Sequence, residues 1–345
     1  MVGVSTPPSA APSAAEESQM GAPAMPGLEP FDDGFIPSSC CEPGQLLRQP
    51  RPASLPPGVT VLQQALEPEL ARQLYEHTVQ LNEPWGAYIR LEDASTLELQ
   101  SAGAEPEVEA LAMRVLQSLL SREAGRLLRD DLDHVHGFSV WAVLGGVGFE
   151  TAYHVDYAEM YRRETNILRP PIHALTVQVS PIPEDSDAVV GGTLGLHLEG
   201  LEHYRRMGYK TRKQPSPPDA PTVDWGTDPG WTYVPYKFNQ VTLSCGELPH
   251  AADKVKVWPE GLQRVVIGIN SMGFIEGPTE MRLPQHSKAF KRMMQMELLA
   301  QHLGGPEQLV RKLLEMRKRK QSQQAATMDS QSHSTHQQAK TEHAV

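Results

Sequence analysis

A histidine and an aspartate two residues apart could form part of a metal site. His154 and Asp156 lie in segment 153–157, which reads Tyr-His-Val-Asp-Tyr. On a strand, both side chains would project from one face while Val155 packs behind them. An imidazole and a carboxylate side by side could then occupy two adjacent vertices of an octahedral metal ion. A His-x-Asp sequence is common, so the pair indicates a metal site only together with a third ligand.

A second histidine from a distant strand would complete a two-histidine, one-carboxylate ligand set. Such a set leaves three positions of the metal open for a cosubstrate and O₂. His250 follows the apolar segment 238–244 and lies 94 residues after Asp156 (250 − 156 = 94). This interval is long enough for several strands, so a barrel could bring the three side chains together. We therefore predict a metal site formed by His154, Asp156 and His250.

Arg264 could bind a carboxylate near that metal. It opens segment 264–270, in which alternate residues would lie on opposite faces of a strand. The branched aliphatic residues share one face, which would pack under helices. The other face would line a barrel, with the guanidinium offering a bidentate fork to a carboxylate. We expect Gly268 to leave room there for a ligand. A structural ion pair is the alternative role for Arg264.

The hydrophobic pattern along the rest of the sequence predicts helices first, then a sheet, then helices again. Pro68 lies in the first turn of one predicted helix, and a second begins at 105–107 with a wide apolar stripe. Two further helices are predicted over 286–303 and after Pro306. Between them the hydrophobic period becomes two. The predicted strands are 138–144, 174–179, 193–198, 238–244 and 264–270.

Composition divides the chain into three parts. Residues 1–55 are rich in Pro, Ala, Ser, Gly and Glu, and residues 321–345 in Gln, Ser, His and Thr. Neither can bury enough apolar surface to offset the entropy of ordering, so both are predicted to be disordered. Residues 56–320 are predicted to form one domain. The long segment 200–236 contains several aromatic residues, which favour an ordered lid or binding loop over disorder.

Charge and cysteine content restrict the function further. The net charge of −11 argues against non-specific binding to nucleic acid or to anionic membranes. Three cysteines do not form a disulfide framework, and no apolar run of membrane-spanning or signal-peptide length occurs. We expect a cytoplasmic or nuclear protein that is not secreted. Its partner would be a protein or small-molecule substrate, and its oligomeric state is left open.

The stretch 153–270 resembles the Fe(II)/2-oxoglutarate-dependent dioxygenase superfamily, specifically its prolyl-4-hydroxylase-like branch. The matching motifs occur in the family's order. They are the first metal motif at 154–156, the glycine-glycine turn and strand at 191–194, Glu199-Gly200, the second metal histidine His250, and Pro259 with Arg264.

The resemblance implies a mainly β protein with flanking helices and a double-stranded β-helix (jelly-roll) core. It implies that Fe(II) binds His154, Asp156 and His250, and that Arg264 binds the far carboxylate of 2-oxoglutarate. O₂ is the second cosubstrate, with ascorbate as an optional addition. No tyrosine is evident as a second partner for that carboxylate. Thr176 and Gln178, which share one face of predicted strand 174–179, are the candidates for this role.

The activity implied is hydroxylation of a protein side chain, such as a prolyl residue, or of a small molecule. A JmjC-type hydroxylase or demethylase shares the metal motif but usually binds the cosubstrate through a lysine, so Arg264 argues against it. A cupin would use a pair such as His134 and His136, yet no Glu follows within 137–148. A non-catalytic, cupin-like binding protein would normally have lost a ligand. His197 is interpreted as a wall or pocket residue.

Overall fold

The computed structural model describes residues 28–30, 45–49, 52, 55, 58–96, 106–183, 189–207 and 228–322. Within these ranges the chain consists mainly of antiparallel sheet with helices around it. The strands are β1 (Leu28–Pro30), β2 (Gln45–Leu47), β3 (Val59–Gln63), β4 (Trp85–Arg90), β5 (Val135–Gly145), β6 (Thr151–His154), β7 (Ile167–Leu168), β8 (His173–Gln178), β9 (Leu194–His197), β10 (Trp231–Val234), β11 (Gln240–Cys245), β12 (His250–Ala252) and β13 (Arg264–Gly273).

The helices lie mostly before and after the strand-rich part of the chain. They are α1 (Pro68–Leu81), α2 (Leu91–Thr96), α3 (Pro106–Leu120), α4 (Glu123–Leu128), α5 (Glu159–Thr165), α6 (Leu201–Met207), α7 (Gly277–Arg282), α8 (Lys288–His302) and α9 (306–322). A 3-10 helix, Arg129–His134, connects α4 to β5. Among the described residues, no helix is both long and apolar enough to cross a membrane.

Two antiparallel sheets carry the residues of interest. The larger sheet has the order β3-β11-β8-β13-β5-β4, and the smaller has the order β10-β9-β12-β6. A third sheet, β1-β2-β7, contains the parallel pair β2–β7. Strands from both of the first two sheets line one cavity, so these sheets face each other across it.

The aliphatic face of β13 packs under helices, as the sequence predicts. Val265, Ile267 and Ile269 are fully buried in one cluster with apolar residues of α1 and α3. Burying this much apolar surface is the main term that holds helices on a sheet. The opposite face of β13, with Arg264, lines the cavity.

Two short strands of the described structure lie within residues 1–55. β1 and β2 lie inside the segment predicted to be disordered, although most of residues 1–55 lie outside the described residues. Leu46 on β2 is completely buried, and the Gln49 amide donates hydrogen bonds to the Pro170 carbonyl (3.0 Å) and to Glu276 Oε1 (2.6 Å). Tertiary contacts therefore order residues that local composition does not.

Candidate metal centre

The two predicted metal-binding histidines lie opposite each other on neighbouring strands. His154 is the last residue of β6, and His250 is the first residue of β12. The two strands are antiparallel, and His154 and His250 are direct partners in their register. Asp156 follows two residues after the end of β6. The structure thus brings the three predicted ligands together at one end of the smaller sheet.

The three side chains converge through the atoms that would bind a metal. His154 Nε2 lies 3.2 Å from Asp156 Oδ1, and His250 Nε2 lies 3.8 Å from Asp156 Oδ2. The imidazole ring centroids are 4.3 Å apart. Separations of this size between donor atoms suit ligands that share one ion at about 2.0–2.2 Å from each.

Backbone carbonyls fix the tautomer of both histidines. His154 Nδ1 lies 2.6 Å from the Ala152 carbonyl, and His250 Nδ1 lies 3.1 Å from the Leu248 carbonyl. A carbonyl oxygen only accepts, so Nδ1 carries the proton in each ring and the lone pair is on Nε2, the atom that faces Asp156. Lone pairs that face a carboxylate repel it unless a proton or a metal cation lies between them. The arrangement therefore fits a divalent cation.

The three residues border a cavity of about 440 Å³ between the two sheets. Arg264, Thr176 and Gln178, the residues predicted to bind the cosubstrate, line the same cavity. Thr176 lies on β8 opposite Gly268 of β13. The three proposed metal ligands and the three proposed cosubstrate-binding residues therefore line one cavity.

Arg264 is a buried cation without a carboxylate partner among the described residues. It is only 5% exposed, and its Nη2 donates to the Gly192 carbonyl at 3.3 Å. Its Nε is buried and makes no hydrogen bond. The guanidinium carbon lies 5.8 Å from the centroid of the Phe149 ring and 5.9 Å from that of Tyr236. Burial lowers the pKa of Arg264, and the electrostatic attraction of Tyr236 and Asp253 offsets this effect only in part.

Gln178 has a further unused donor. Its Oε1 accepts a hydrogen bond from the Lys237 backbone, but its Nε2 is buried without a partner. An unsatisfied buried donor costs about 1–3 kcal/mol, so such groups are rare unless a water or a ligand satisfies them. Gln178 Nε2 and Arg264 Nε are donors suited to an anionic ligand.

Gly268 lines the cavity, as the sequence predicts, and it also lies against the Trp141 side chain. A Cβ built on Gly268 would lie 2.3 Å from two atoms of the Trp141 indole, so the space beside this glycine belongs to that side chain. Trp141 is the direct neighbour of Gly268 on β5 and also lines the cavity. The absence of a side chain at position 268 therefore makes room for the Trp141 indole at the cavity wall, and the role toward a ligand stays a prediction.

A second cluster has the same residue types but different hydrogen bonding. His197 Nε2 lies 2.9 Å from Asp228 Oδ2, and His203 Nε2 lies 3.6 Å from the same atom. However, His197 Nδ1 accepts a hydrogen bond from the Glu199 backbone N–H at 3.3 Å, which places its proton on Nε2. His203 Nδ1 is bonded to the Tyr153 hydroxyl at 2.6 Å. His197 thus donates to Asp228, and we interpret this cluster as a structural network beside the metal centre.

Other residues of the site were missed because only tertiary packing reveals them. Phe149 and Tyr236 flank Arg264, and Trp141 and His286 form an aromatic pair with centroids 6.4 Å apart at the cavity wall. Tyr236 belongs to segment 200–236, of which residues 208–227 lie outside the described residues. In the sequence, only the cluster of aromatic residues in that segment indicated that the segment could contribute to the site.

No family model matches this chain, and no curated protein matches it. Solved structures do match. They include a prolyl-4-hydroxylase from Pseudomonas putida, with 12% identity over 63% of this chain and 86% of that chain, at a TM-score of 0.36.

Two further matches are similarly distant. A 2OG-Fe(II) oxygenase family oxidoreductase from Burkholderia pseudomallei is 14% identical over 63% of this chain and 88% of its own, at a TM-score of 0.31. A prolyl hydroxylase from Trichoplax adhaerens, in complex with a peptide of hypoxia inducible factor, is 15% identical over 64% of this chain and 86% of its own, at a TM-score of 0.34. At this identity and TM-score, the chemistry has to be judged from the site itself.

Proposed function

We propose that this chain is a non-haem Fe(II)- and 2-oxoglutarate-dependent dioxygenase. His154, Asp156 and His250 would hold the iron, and Arg264 would bind the far carboxylate of 2-oxoglutarate. One observation carries the proposal: a buried guanidinium with an unsatisfied Nε lines the same cavity as the two-histidine, one-carboxylate set. A ligand that bears a carboxylate and reaches the metal would satisfy both features.

The strand order supports a double-stranded β-helix as the fold. The eight strands β5, β6 and β8–β13, numbered one to eight, divide evenly between the two sheets, four in each. In the larger sheet the order is β11-β8-β13-β5, which corresponds to strands six, three, eight and one. In the smaller sheet the order is β10-β9-β12-β6, which corresponds to strands five, four, seven and two. This is the strand order of a jelly roll. We propose that residues 56–320 form this domain, extended at its N-terminal end by the contacts of Leu46 and Gln49.

The residues of the chain would mainly bind and orient the iron and the cosubstrate. The Nδ1 hydrogen bonds of His154 and His250 hold the rings with Nε2 toward the metal. Arg264, Gln178 and Thr176 would hold the cosubstrate, and the sheets on either side limit access of water. When bound, the iron supplies the activation of O₂, with 2-oxoglutarate as the electron donor and ascorbate as an optional reductant.

A hydroxylase acting on a protein side chain, prolyl-like, or on a small molecule is the reaction we favour. A JmjC-type enzyme is less well supported, because Arg264 lines the cavity and no lysine does among the described residues. A non-catalytic, cupin-like protein would not need an unpaired cation in the cavity. The cytoplasmic or nuclear location stays a prediction.

The test is a titration of 2-oxoglutarate into the anaerobic Fe(II) protein, followed by its metal-to-ligand charge-transfer band. Arg264→Ala should weaken binding about tenfold to a few hundredfold, since a charge-assisted hydrogen bond contributes about 1.5–3 kcal/mol. Arg264→Lys should rescue it only partly. Iron affinity measured without cosubstrate should not change, and Arg126→Ala, an exposed arginine, is the matched control. An unchanged midpoint for Arg264→Ala would show that this residue does not bind the carboxylate.

A further inference from the structure

The side chains next to the three proposed metal ligands are buried in one apolar cluster. Val155 lies between His154 and Asp156, and Ala251 directly follows His250. Val155 and Ala251 are both buried. The cluster, which we call the ligand-backing cluster, consists of Leu46, Tyr153, Val155, Tyr157, Leu168, Leu201, Tyr204, Trp231 and Ala251. The positions of the ligands therefore depend on how this cluster packs.

One member of the ligand-backing cluster, Leu46, comes from the N-terminal part of the chain. Its strand β2 pairs in parallel with β7, where Leu46 lies opposite Leu168. The next residue after β7, Arg169, accepts a hydrogen bond through its carbonyl from the Ala158 backbone N–H at 3.1 Å. Ala158 is the second residue after Asp156. β2 is therefore linked to the segment that carries Asp156 through the apolar cluster and, by way of β7, through the backbone.

Arg48 links the same N-terminal segment to the turn before His250. Its Nη1 lies 3.5 Å from Glu247 Oε2, and its Nη2 donates a hydrogen bond to Glu202 Oε1 at 2.9 Å. Glu247 is only 8% exposed, so a cation beside it offsets the cost of burying its charge. Glu247 directly precedes Leu248, whose carbonyl accepts the hydrogen bond from His250 Nδ1. Arg48 thus holds the turn that orients the His250 ring.

We propose that segment 45–49 is a positioning element of the metal centre and acts through Leu46 and Arg48. This inference rests on the proposed function, since the ligands that the segment positions are those assigned to Fe(II). Leu46 and Arg48 are not among the residues that line the cavity, so they act through the residues around the ligands. Removing a group that orients metal ligands lowers metal affinity. A purely structural role would instead lower stability and leave the metal affinity of the folded chain unchanged.

The first experiment measures Fe(II) affinity by anaerobic calorimetry on the full chain, at a temperature where circular dichroism shows each variant to be folded. Leu46→Ala should weaken Fe(II) binding about tenfold, because the space it leaves lets Val155 and Ala251 move relative to each other. The matched control is Leu74→Ala on α1, the same change at an equally buried residue of the other large cluster. It should lower the unfolding temperature as well, yet bind Fe(II) with the wild-type affinity.

The second experiment tests Arg48, whose partly exposed side chain can be changed with little risk to the fold. Arg48→Ala should weaken Fe(II) binding about threefold, the size expected when a partly exposed ion pair is lost. Arg48→Lys keeps the positive charge and should recover part of the affinity. Arg122→Ala is the matched control, because Arg122 pairs with Glu67 and its side chain is 31% exposed, against 34% for Arg48. This control should bind Fe(II) as the wild type does.

Co(II) bound in place of Fe(II) reports the arrangement of the ligands, because its visible absorption bands depend on coordination geometry. The bands should shift in Leu46→Ala and stay in place in Leu74→Ala. Equal Fe(II) affinities and equal Co(II) spectra for the wild type and Leu46→Ala would overturn the inference and leave the proposed function standing. An equal loss of affinity in Leu74→Ala would also overturn it, since general destabilisation would then be the cause. A wild-type chain that binds neither metal would overturn both.

Discussion

The Trp141 indole and the Gly268 backbone occupy adjoining space on β5 and β13, where a Cβ on Gly268 would lie 2.3 Å from the ring. The indole also packs near His286, with ring centroids 6.4 Å apart. His286 has a positive φ of 63°, which is uncommon for a residue other than glycine. A methyl group at position 268 would therefore require the Trp141 side chain, and His286 packed near it, to move.

Gly268→Ala should destabilise the fold by about 1–3 kcal/mol, the usual cost of overpacking. Thermal unfolding of the purified chain measures this loss. Gly146→Ala is the matched control, because a Cβ there meets nothing within 4 Å and should cost little. If Gly268→Ala unfolds at the wild-type temperature, the indole does not depend on the glycine.

Asp156→Ala should abolish measurable binding of Fe(II), because it removes the one carboxylate of the proposed ligand set. Anaerobic calorimetry with Fe(II) measures the affinity, and circular dichroism confirms the fold. Asp228→Ala removes the carboxylate of the neighbouring His197 and His203 cluster, and it should leave iron binding unchanged. If only Asp228→Ala lost iron, the roles of the two clusters would be reversed.

Stability should depend on pH through Glu280. Burial, chiefly, raises the pKa of this carboxyl to about 8, and the negative charges of Glu159 and Glu276 add to the effect. Its Oε1 accepts hydrogen bonds from the backbone of Met160 (2.6 Å) and Tyr161 (3.0 Å). Between the unfolded pKa of about 4.5 and about 8, the folded state binds the extra proton. The stabilisation is therefore complete below the unfolded pKa and is lost as pH rises through the folded value.

Glu280→Gln should remove this dependence, since its amide is neutral at every pH. Urea unfolding of both proteins at several pH values between 5 and 9 gives the difference in free energy. We expect the variant to gain stability relative to the wild type as the pH rises. A difference that stays constant with pH would mean that Glu280 does not titrate on unfolding.

Leu46→Ala should cost about 2–5 kcal/mol, as for other large-to-small changes in a core. Leu46 is completely buried in a cluster that includes Tyr153 and Leu168. For the same reason, deleting residues 1–55 should lower the unfolding temperature, whereas deleting residues 1–27 should not. Equal unfolding temperatures for the two truncated chains would show that β2 adds nothing to stability.

The sequence predicts the parts of the site that have a local pattern. His154 and Asp156 could be found by their two-residue spacing, although Asp156 lies beyond the end of β6, and Arg264 by the alternation along β13, which runs for ten residues. β6, β10 and β12 are only three or four residues long, too short to show a period. β4 is buried on both faces, so its residues do not alternate and the strand was missed.

Long-range packing explains what else could not be foreseen. Tyr236 lies in the connection between β10 and β11, and its ring lies beside the Arg264 guanidinium. Its hydroxyl accepts a hydrogen bond from Ser180 N at 2.7 Å. Leu46 lies in a stretch whose neighbours favour disorder, and only its contacts with residues more than a hundred positions away bury it. Such partners are invisible to any local window.

The opposition of His154 and His250 across β6 and β12 also bears on how the protein is made. The two residues are 96 positions apart (250 − 154 = 96), so their contact closes only after the intervening chain has been ordered. On the ribosome, His154 and Asp156 emerge well before His250. A nascent chain thus offers only two of the three proposed ligands, so binding of a metal by the complete proposed set would have to wait until β12 has been synthesised.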